Sequence, residues 1–292
     1  MIVVLGSINL DLIFPLPAIP RAGETLLAPG IRIEPGGKGA NQAVAAARDG
    51  AQVVMAGAVG RDALADGALD LLRAANIDLS RVIETDAATG CAAIFVDPQG
   101  ANAIGVGSGA NLAVRNMQIE DALLGPSTTL VLQMEVSAQE TSALIHRARA
   151  RGARIILNLA PAAPLETAAL RALDLLVVNE TEAAWLGDHL GCATDAVALR
   201  ATLGVDVVRT LGEAGADVAT GTAVQHVPAR RITPVDTTAA GDCFVGVLAA
   251  TLDRGTPLAA ALARATAAAA LCCTRAGSQS SLPTAAETDA LG

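Results

Sequence analysis

The strongest constraint on this chain is an alternation. Short apolar runs of strand length are separated repeatedly by longer segments of helix-forming residues. Residues 2–5, 53–58, 92–96, 129–134, 154–158, 175–178 and 205–209 read as strands, and 40–48, 63–75 and 138–150 as helices between them. Strands joined through helices do not form tight hairpins. They pair in parallel, with the helices covering both faces of the sheet. The expected fold is α/β, three layers (α/β/α) around a mostly parallel sheet. With 292 residues, 52% of them hydrophobic, one large domain spanning 1–292 buries an ample core. Segments 12–33 and 90–104 break the rhythm: they carry strands, turn residues and Pro15, Pro17 and Pro20, but no helical pattern. A small β-sheet inserted as a lid over that domain accounts for both.

Composition removes several functions. Net charge is 20 − 29 = −9, which opposes a broad nucleic-acid surface. The aromatics, Phe14, Phe95, Trp185 and Phe244, are too scattered to stack successive bases. Cys91, Cys192, Cys243, Cys272 and Cys273 are odd in number and lack C-x-x-C spacing, so neither a disulfide framework nor a zinc site is expected. Met1–Gly6 has no basic segment and reads as a first strand, and Arg264 interrupts the Ala-rich stretch after Leu258. The expectation is a soluble, cytoplasmic protein with no membrane or nucleic-acid partner.

Within this frame the polar motifs follow strands, where ligands collect in open parallel sheets. From Asp242 onward Phe244, Val245, Leu248, Ala249 and Leu252 recur at helical spacing, which predicts a helix starting near Ala240. Ala239, Ala240 and Gly241 let an anion approach the unpaired N–H groups of that first turn. Asp242 there could serve as the base of a hydroxyl-phosphorylating enzyme, or merely stabilise the helix start. Gly36-Gly37-Lys38-Gly39 lacks the Ser/Thr of a Walker A loop. With Asn41 it offers donors to a ligand, or forms only a tight turn.

Asn179-Glu180-Thr181-Glu182 fits either a carboxylate (Glu182) for hydrated Mg²⁺ or a capped helix. Thr210, Gly212 and Gly215 could admit a nucleotide or form a hairpin into 216–219. Gly105-x-Gly107-x-x-Ala110 matches a dinucleotide fingerprint, but no helical pattern opens there, so it reads as a glycine-rich loop and not a nicotinamide site. Gly277, after Arg275-Ala276, reads as the C-cap of the last long helix. Ser7, Asn9 and Asp11 alternate with apolar residues and place three polar groups on one strand face. Only three histidines occur, widely separated, and no Ser-His-Asp arrangement appears.

Gly36-Gly37-Lys38-Gly39-Ala40-Asn41-Gln42-Ala43, Asn179-Glu180-Thr181-Glu182 and Asp236-Thr-Thr-Ala-Ala-Gly241-Asp242 together resemble the signatures of the ribokinase-like family of sugar and nucleoside kinases. Gly6-Ser7-Ile8-Asn9-Leu10-Asp11, Gly109-Ala110-Asn111, Thr210-Leu211-Gly212 and Thr274-Arg275-Ala276-Gly277 extend the resemblance, in order, over nearly the whole chain. It implies γ-phosphoryl transfer from ATP to the 5-hydroxyl of D-ribose. Asp242 would be the base, and N–H groups from Ala239, Ala240, Gly241 and Asp242 the anion hole. Asn9, Asp11, Gly37, Lys38, Asn41 and Glu135 would hold the sugar; Asn179, Thr210, Gly212, Gly215, Gly241 and Thr266 would line the nucleotide. Glu182 would position Mg²⁺ through water. Asp236, Thr238, Cys272, Arg275, Gly277 and Ser281 would bind an activating K⁺, mostly through backbone oxygens. The resemblance also implies a homodimer paired through the lid strands. Thr266 stands where the family often has Asn or His, and Cys243 where Thr or Ala is common. Another small sugar or a nucleoside as substrate, or a non-catalytic sugar- or nucleotide-binding relative, is the alternative.

Overall fold

The computed structural model describes residues 1–99, 101–221 and 223–291. Strands are numbered along the chain. Among the described residues, β1 (Ile2–Leu5), β4 (Val53–Gly60), β5 (Asp78–Thr85), β8 (Thr129–Leu132), β9 (Arg154–Asn158), β10 (Leu175–Asn179), β11 (Asp206–Thr210), β12 (Ala216–Ala219) and β13 (Val224–Val227) form one sheet. Its order is β13-β12-β11-β10-β9-β8-β1-β4-β5. Every pairing from β11 to β5 is parallel, and only the β11–β12 and β12–β13 pairs are antiparallel.

A sheet covered on both faces needs apolar side chains at every position of its central strands. That is why β1 reads Ile-Val-Val-Leu and is wholly buried. Ile2 and Val4 point into a core shared with α1 (Lys38–Arg48), α2 (Ala65–Ala74), α7 (Ala240–Asp253) and α8 (Leu258–Cys273). Val3 and Leu5 point the other way, into a core shared with α3 (Ala138–Arg151), α4 (Thr167–Leu170), α5 (Glu180–Leu190) and α6 (Ala196–Leu203). The fold is thus the expected three-layer α/β/α arrangement, and α9 (Ala285–Leu291) ends the helices. Among the described residues no helix is long and apolar enough to cross a membrane.

Two features fix α1 against α7, and so bring the glycine loop to the Asp242 turn. Gly246 of α7 leaves no room for a side chain: a Cβ there would lie 2.6 Å from the Ala45 Cβ and closer still to the Gln42 carbonyl. At the far end of α1, the buried Asp49 carboxylate is paired with Arg254 at 2.7 Å and Arg264 at 2.6 Å. A buried carboxylate needs such pairing to remain charged.

The second sheet, ordered β3-β2-β6-β7, comprises β2 (Asn9–Pro15), β3 (Arg32–Gly36), β6 (Gly90–Val96) and β7 (Asn102–Gly107). Its strands span 9–36 and 90–107, against the 12–33 and 90–104 expected for the lid, and Gly100 lies outside the described residues. The polar alternation at Asn9 and Asp11 prolongs the apparent first strand. The chain instead leaves the main sheet after Leu5 and enters the small one at Asn9. Strand β5 carries no clear period because it is a half-exposed edge, which leaves its side chains free to be polar. The C-cap reading of Gly277 is corrected. Helix α8 stops at Cys273 with Thr274 as its cap, while Gly277 (φ 106°) serves the next turn, where its N–H reaches Asp236.

Candidate active site

The carboxyl ends of β1 and β8 meet the glycine loop. Gly37 has φ 88°, a conformation open to glycine, and a Cβ would crowd the Asn9 amide nitrogen at 2.9 Å. Gly36 packs so closely on Asp11 that a side chain would overlap its carboxylate. Glu135, just past β8, accepts from the Ser7 hydroxyl at 2.5 Å and from the Lys38 N–H at 3.0 Å. The Ser7 Oγ in turn accepts from the Gly39 N–H at 3.2 Å. Asn9 is oriented by Asn111, whose Nδ2 donates to Asn9 Oδ1 at 2.7 Å, while Asn111 Oδ1 accepts from the Ile8 N–H at 2.9 Å.

Asp11 is buried, and among the described residues its Oδ1 has no partner. Burial first, then the nearby Glu135, Glu34 and Asp242 charges, push its carboxyl up to about 7, with Lys38 opposing. An acceptor left empty in such a place suits the hydroxyl of a polyol. The Lys38 ammonium is raised by Asp242 above all, then by Glu135, Glu182 and Asp11, against the opposing effect of burial. One cation therefore serves a cluster of four carboxylates.

Asp242 lies buried in the first turn of α7. Its Oδ2 accepts from Asn41 Nδ2 at 3.0 Å and its Oδ1 from Gln42 Nε2 at 2.9 Å. Ala239, with φ 59°, starts the helix in a left-handed conformation unusual for alanine. The Ala240 N–H reaches Thr237 O at 3.3 Å, and the Cys243 N–H reaches Ala239 O at 2.8 Å. Among the described residues, the N–H groups of Gly241 and Asp242 have no backbone acceptor. Two free donors at the positive end of a 14-residue helix, beside a carboxylate and an ammonium, can bind a phosphoryl group and take a proton from an attacking alcohol.

At the end of β10, Asn179 Oδ1 accepts from the Glu182 N–H and Glu182 Oε2 accepts from the Asn179 N–H, both at 2.8 Å. This is a capping box. Burial chiefly raises the Glu182 carboxyl, opposed by the Asn179 N–H and by Lys38. Thr210, Gly212 and Gly215 lie in the hairpin from β11 into β12. Gly215 (φ 103°) sits so close to the Val227 carbonyl that only glycine fits. Thr266 is buried in α8 with its Oγ1 unpartnered.

The segments around Asp236 and Gly277 also converge. Asp236 accepts from the Thr238 N–H at 2.9 Å and the Gly277 N–H at 3.1 Å. Burial raises its carboxyl, but these bonds hold it below its ordinary value. The Cys272 Sγ lies 3.0 Å from Ser281 Oγ, whose hydroxyl donates to Ser278 O. The Arg275 side chain turns away to Glu287. The carbonyl oxygens of Asp236, Arg275 and Gly277 accept no hydrogen bond among the described residues. Free carbonyl oxygens beside a carboxylate fit an alkali cation. Among the described residues no group of three or more His, Cys, Asp and Glu side chains forms a ready metal cage.

The sequence motifs included Ser7, Gln42 and Asn111 without a role for them, and Gln133 and Asn158 carried no motif at all. All are buried polar residues. The signal available was their polarity next to apolar runs, which marks a buried amide or hydroxyl that must find a partner.

A buried carboxylate at a helix start, polar groups gathered beside the glycine loop and a turn with free N–H groups fit a kinase of small hydroxylated molecules. The chain belongs to the pfkB family of carbohydrate kinases, whose model matches residues 1–285. It is 34% identical over 293 residues to the ribokinase of Staphylococcus aureus, covering 97% of this chain and 96% of that one. It is 36% identical over 293 residues to a deoxyribokinase of Salmonella typhi, covering 97% and 95%. The structure of Arabidopsis thaliana ribokinase complexed with ribose and ATP superposes with a TM-score of 0.88 at 28% identity, covering 99% of this chain and 97% of that one.

Proposed function

We propose that the protein is an ATP-dependent kinase that transfers the γ-phosphoryl group to the 5-hydroxyl of D-ribose, giving ribose 5-phosphate and ADP. The observation that carries this reading is Asp242. Its carboxylate stands in the first turn of α7 beside the two free N–H groups, and Asn41 ties it to the glycine loop at 3.0 Å.

In this reading Asp242 takes the proton of the sugar's terminal hydroxyl as the oxygen attacks phosphorus. The N–H groups of Gly241 and Asp242, with the Ala239–Ala240 turn behind them, receive the negative charge of the transferring group. Asn9, Asp11, Gly37, Lys38, Asn41 and Glu135 hold the sugar; Asn179, Thr210, Gly212, Gly215 and Thr266 line the nucleotide. Glu182 would hold the water shell of the Mg²⁺ that accompanies ATP, and that cation would supply neutralisation of phosphate charge. Backbone oxygens around Asp236, Thr238, Cys272, Arg275, Gly277 and Ser281 would hold K⁺, which would supply stiffening of the turn that leads into α7. The small sheet acts as a lid that excludes water from competing hydrolysis. The protein works in the cytoplasm, where ATP is available, as a homodimer joined through that sheet.

The test is ADP release measured on D-ribose, 2-deoxy-D-ribose, D-fructose and adenosine, with and without K⁺. D-Ribose is expected to turn over fastest and K⁺ to accelerate it. Equal or faster turnover on fructose or adenosine would overturn the assignment. A second reading, 2-deoxy-D-ribose as the preferred acceptor, is favoured by the deoxyribokinase relative, and the same panel decides it.

A further inference from the structure

Three buried amides connect the candidate base to the main sheet. Gln42, fully buried on α1, donates from Nε2 to Asp242 Oδ1 at 2.9 Å and to Asn158 Oδ1 at 3.1 Å. Its Oε1 accepts from Nε2 of Gln133, also fully buried, at 2.7 Å. Asn158, the last residue of β9, donates from Nδ2 to the Val177 carbonyl at 3.3 Å.

The orientation of every amide follows from its ends. An ionised carboxylate only accepts, and so does a backbone carbonyl. Val177 O therefore takes the Asn158 NH₂ and turns Asn158 Oδ1 toward Gln42. Asp242 and Asn158 both then require the Gln42 NH₂, so its carbonyl faces Gln133, which must present its own NH₂. The last acceptor of the relay, Gln133 Oε1, is left with no partner among the described residues. A fully buried carbonyl without a hydrogen bond is unfavourable. The arrangement persists because every alternative orientation sets acceptor against acceptor nearer to Asp242.

We propose that Gln42 and Gln133 are positioning residues for the phosphoryl-transfer base, a Gln133–Gln42 relay that holds Asp242 Oδ1 in place and leaves the second lone pair of Oδ2, beside Asn41, to the sugar hydroxyl. The proposal rests on Asp242 being the base. Asn41 holds Oδ2 from the preceding residue of the same helix, so α1 grips both carboxylate oxygens with consecutive side chains. Gln133 lies two residues before Glu135, so one extension of β8 supports the base through Gln133 and presents Glu135 to the glycine loop.

The test is a double-mutant cycle. Gln42→Met keeps the volume and removes the donor; Gln133→Met removes the support one residue further from the base. Each is expected to lower kcat, about ten- to hundredfold for Gln42→Met, as loss of a hydrogen bond to a charged group does, and less for Gln133→Met. KM for ribose and for ATP should stay within about twofold of wild type, as when an interaction of the transition state alone is lost. Asp242→Asn alone is expected to lower kcat about 10²- to 10⁴-fold. In the Asp242→Asn background, Gln42→Met and Gln133→Met should cause little further loss, because the group they position is gone. A full, additive loss in that background would mean a merely structural role and overturn the relay. Wild-type kcat in both Met variants, with Asp242→Asn inactive, would overturn the relay alone. Wild-type turnover by Asp242→Asn would overturn the base and the relay together. Should Gln42→Met fail to fold, the Gln133→Met cycle tests the relay by itself, with the same outcomes for and against it.

Discussion

At the residue scale, Asp11 makes a prediction that stands apart from the base. Its carboxyl is pushed up to about 7 from an ordinary 3.8. If Asp11 accepts sugar hydroxyls as proposed, its ionised form is the stronger acceptor, so sugar binding should weaken as pH falls through 7. A group of that pKa is about one-tenth ionised at pH 6 and about nine-tenths at pH 8. KM for ribose should therefore rise up to about tenfold from pH 8 to pH 6, and Asp11→Asn should abolish that dependence while raising KM at pH 8. Stability carries the opposite mark. Below about pH 4 both folded and unfolded chains are protonated at this site, and nothing is lost. Between about pH 4 and pH 7 the unfolded chain releases the proton while the folded one keeps it, so stability declines, and above 7 the loss is complete. Asp11→Asn should therefore raise Tm at pH 8 and leave it unchanged near pH 4. A Tm difference that is equal at the two pH values, or a KM flat from pH 6 to 8 in the wild type, would refute the account.

At the scale of elements, the sequence was legible where a period could be counted. The central strands were readable because burial on both faces demands unbroken apolar runs such as Ile2–Leu5, and the start of α7 because Asp242 heads a helical spacing. Strand β5 was hidden by its exposed edge, and the β1-to-β2 switch by an alternation at Asn9 and Asp11 that looks the same in either sheet. The Gln133–Gln42–Asn158 contacts were unreadable for another reason: their members lie 91 and 116 residues apart, and no local pattern encodes such distances. Glu182 was readable in two ways, and both remain chemically open, since one oxygen caps α5 while its charge faces the site. Glu182→Gln separates them. Glutamine serves a capping box as well as glutamate does, so Tm should hold, while the Mg²⁺ concentration for half-maximal rate should rise severalfold. An unchanged Mg²⁺ requirement would leave Glu182 a cap and nothing more. Gly246 tests the α1–α7 contact in the same spirit. Gly246→Ala forces the helices apart at the Gln42 carbonyl and should cost about 1–3 kcal/mol in chemical denaturation. It should also lower kcat, because Asn41 and Gln42 retreat from Asp242. Full stability with full activity would show that the two helices have slack.

At the scale of the whole molecule, the small sheet is the part a single copy leaves unfinished. Register sets Ile13, Ile94 and Ile104 in a row across β2, β6 and β7. Their exposures run 5%, 8% and 56%, so the apolar stripe begins in a small core and ends in water. Val106, two residues on, stands on the same face of β7 and is half exposed. Among the described residues strands β3 and β7 are also open edges, whose unpaired N–H and C=O groups invite another strand or sheet. A second copy presenting the same stripe would cover all of these together, because a two-fold interface is self-complementary. The same face carries Asp11, whose alternation with Ile13 puts both on one side of β2, so pairing would also close the sugar side of the site. The wild type should sediment as a dimer at micromolar concentration. Ile104→Asp would set a charge at the exposed end of the stripe, far from the core of the main sheet, and should yield a folded monomer with raised KM for the sugar. A monomeric wild type, or a dimer indifferent to Ile104→Asp, would show that the stripe serves some other purpose than joining two copies.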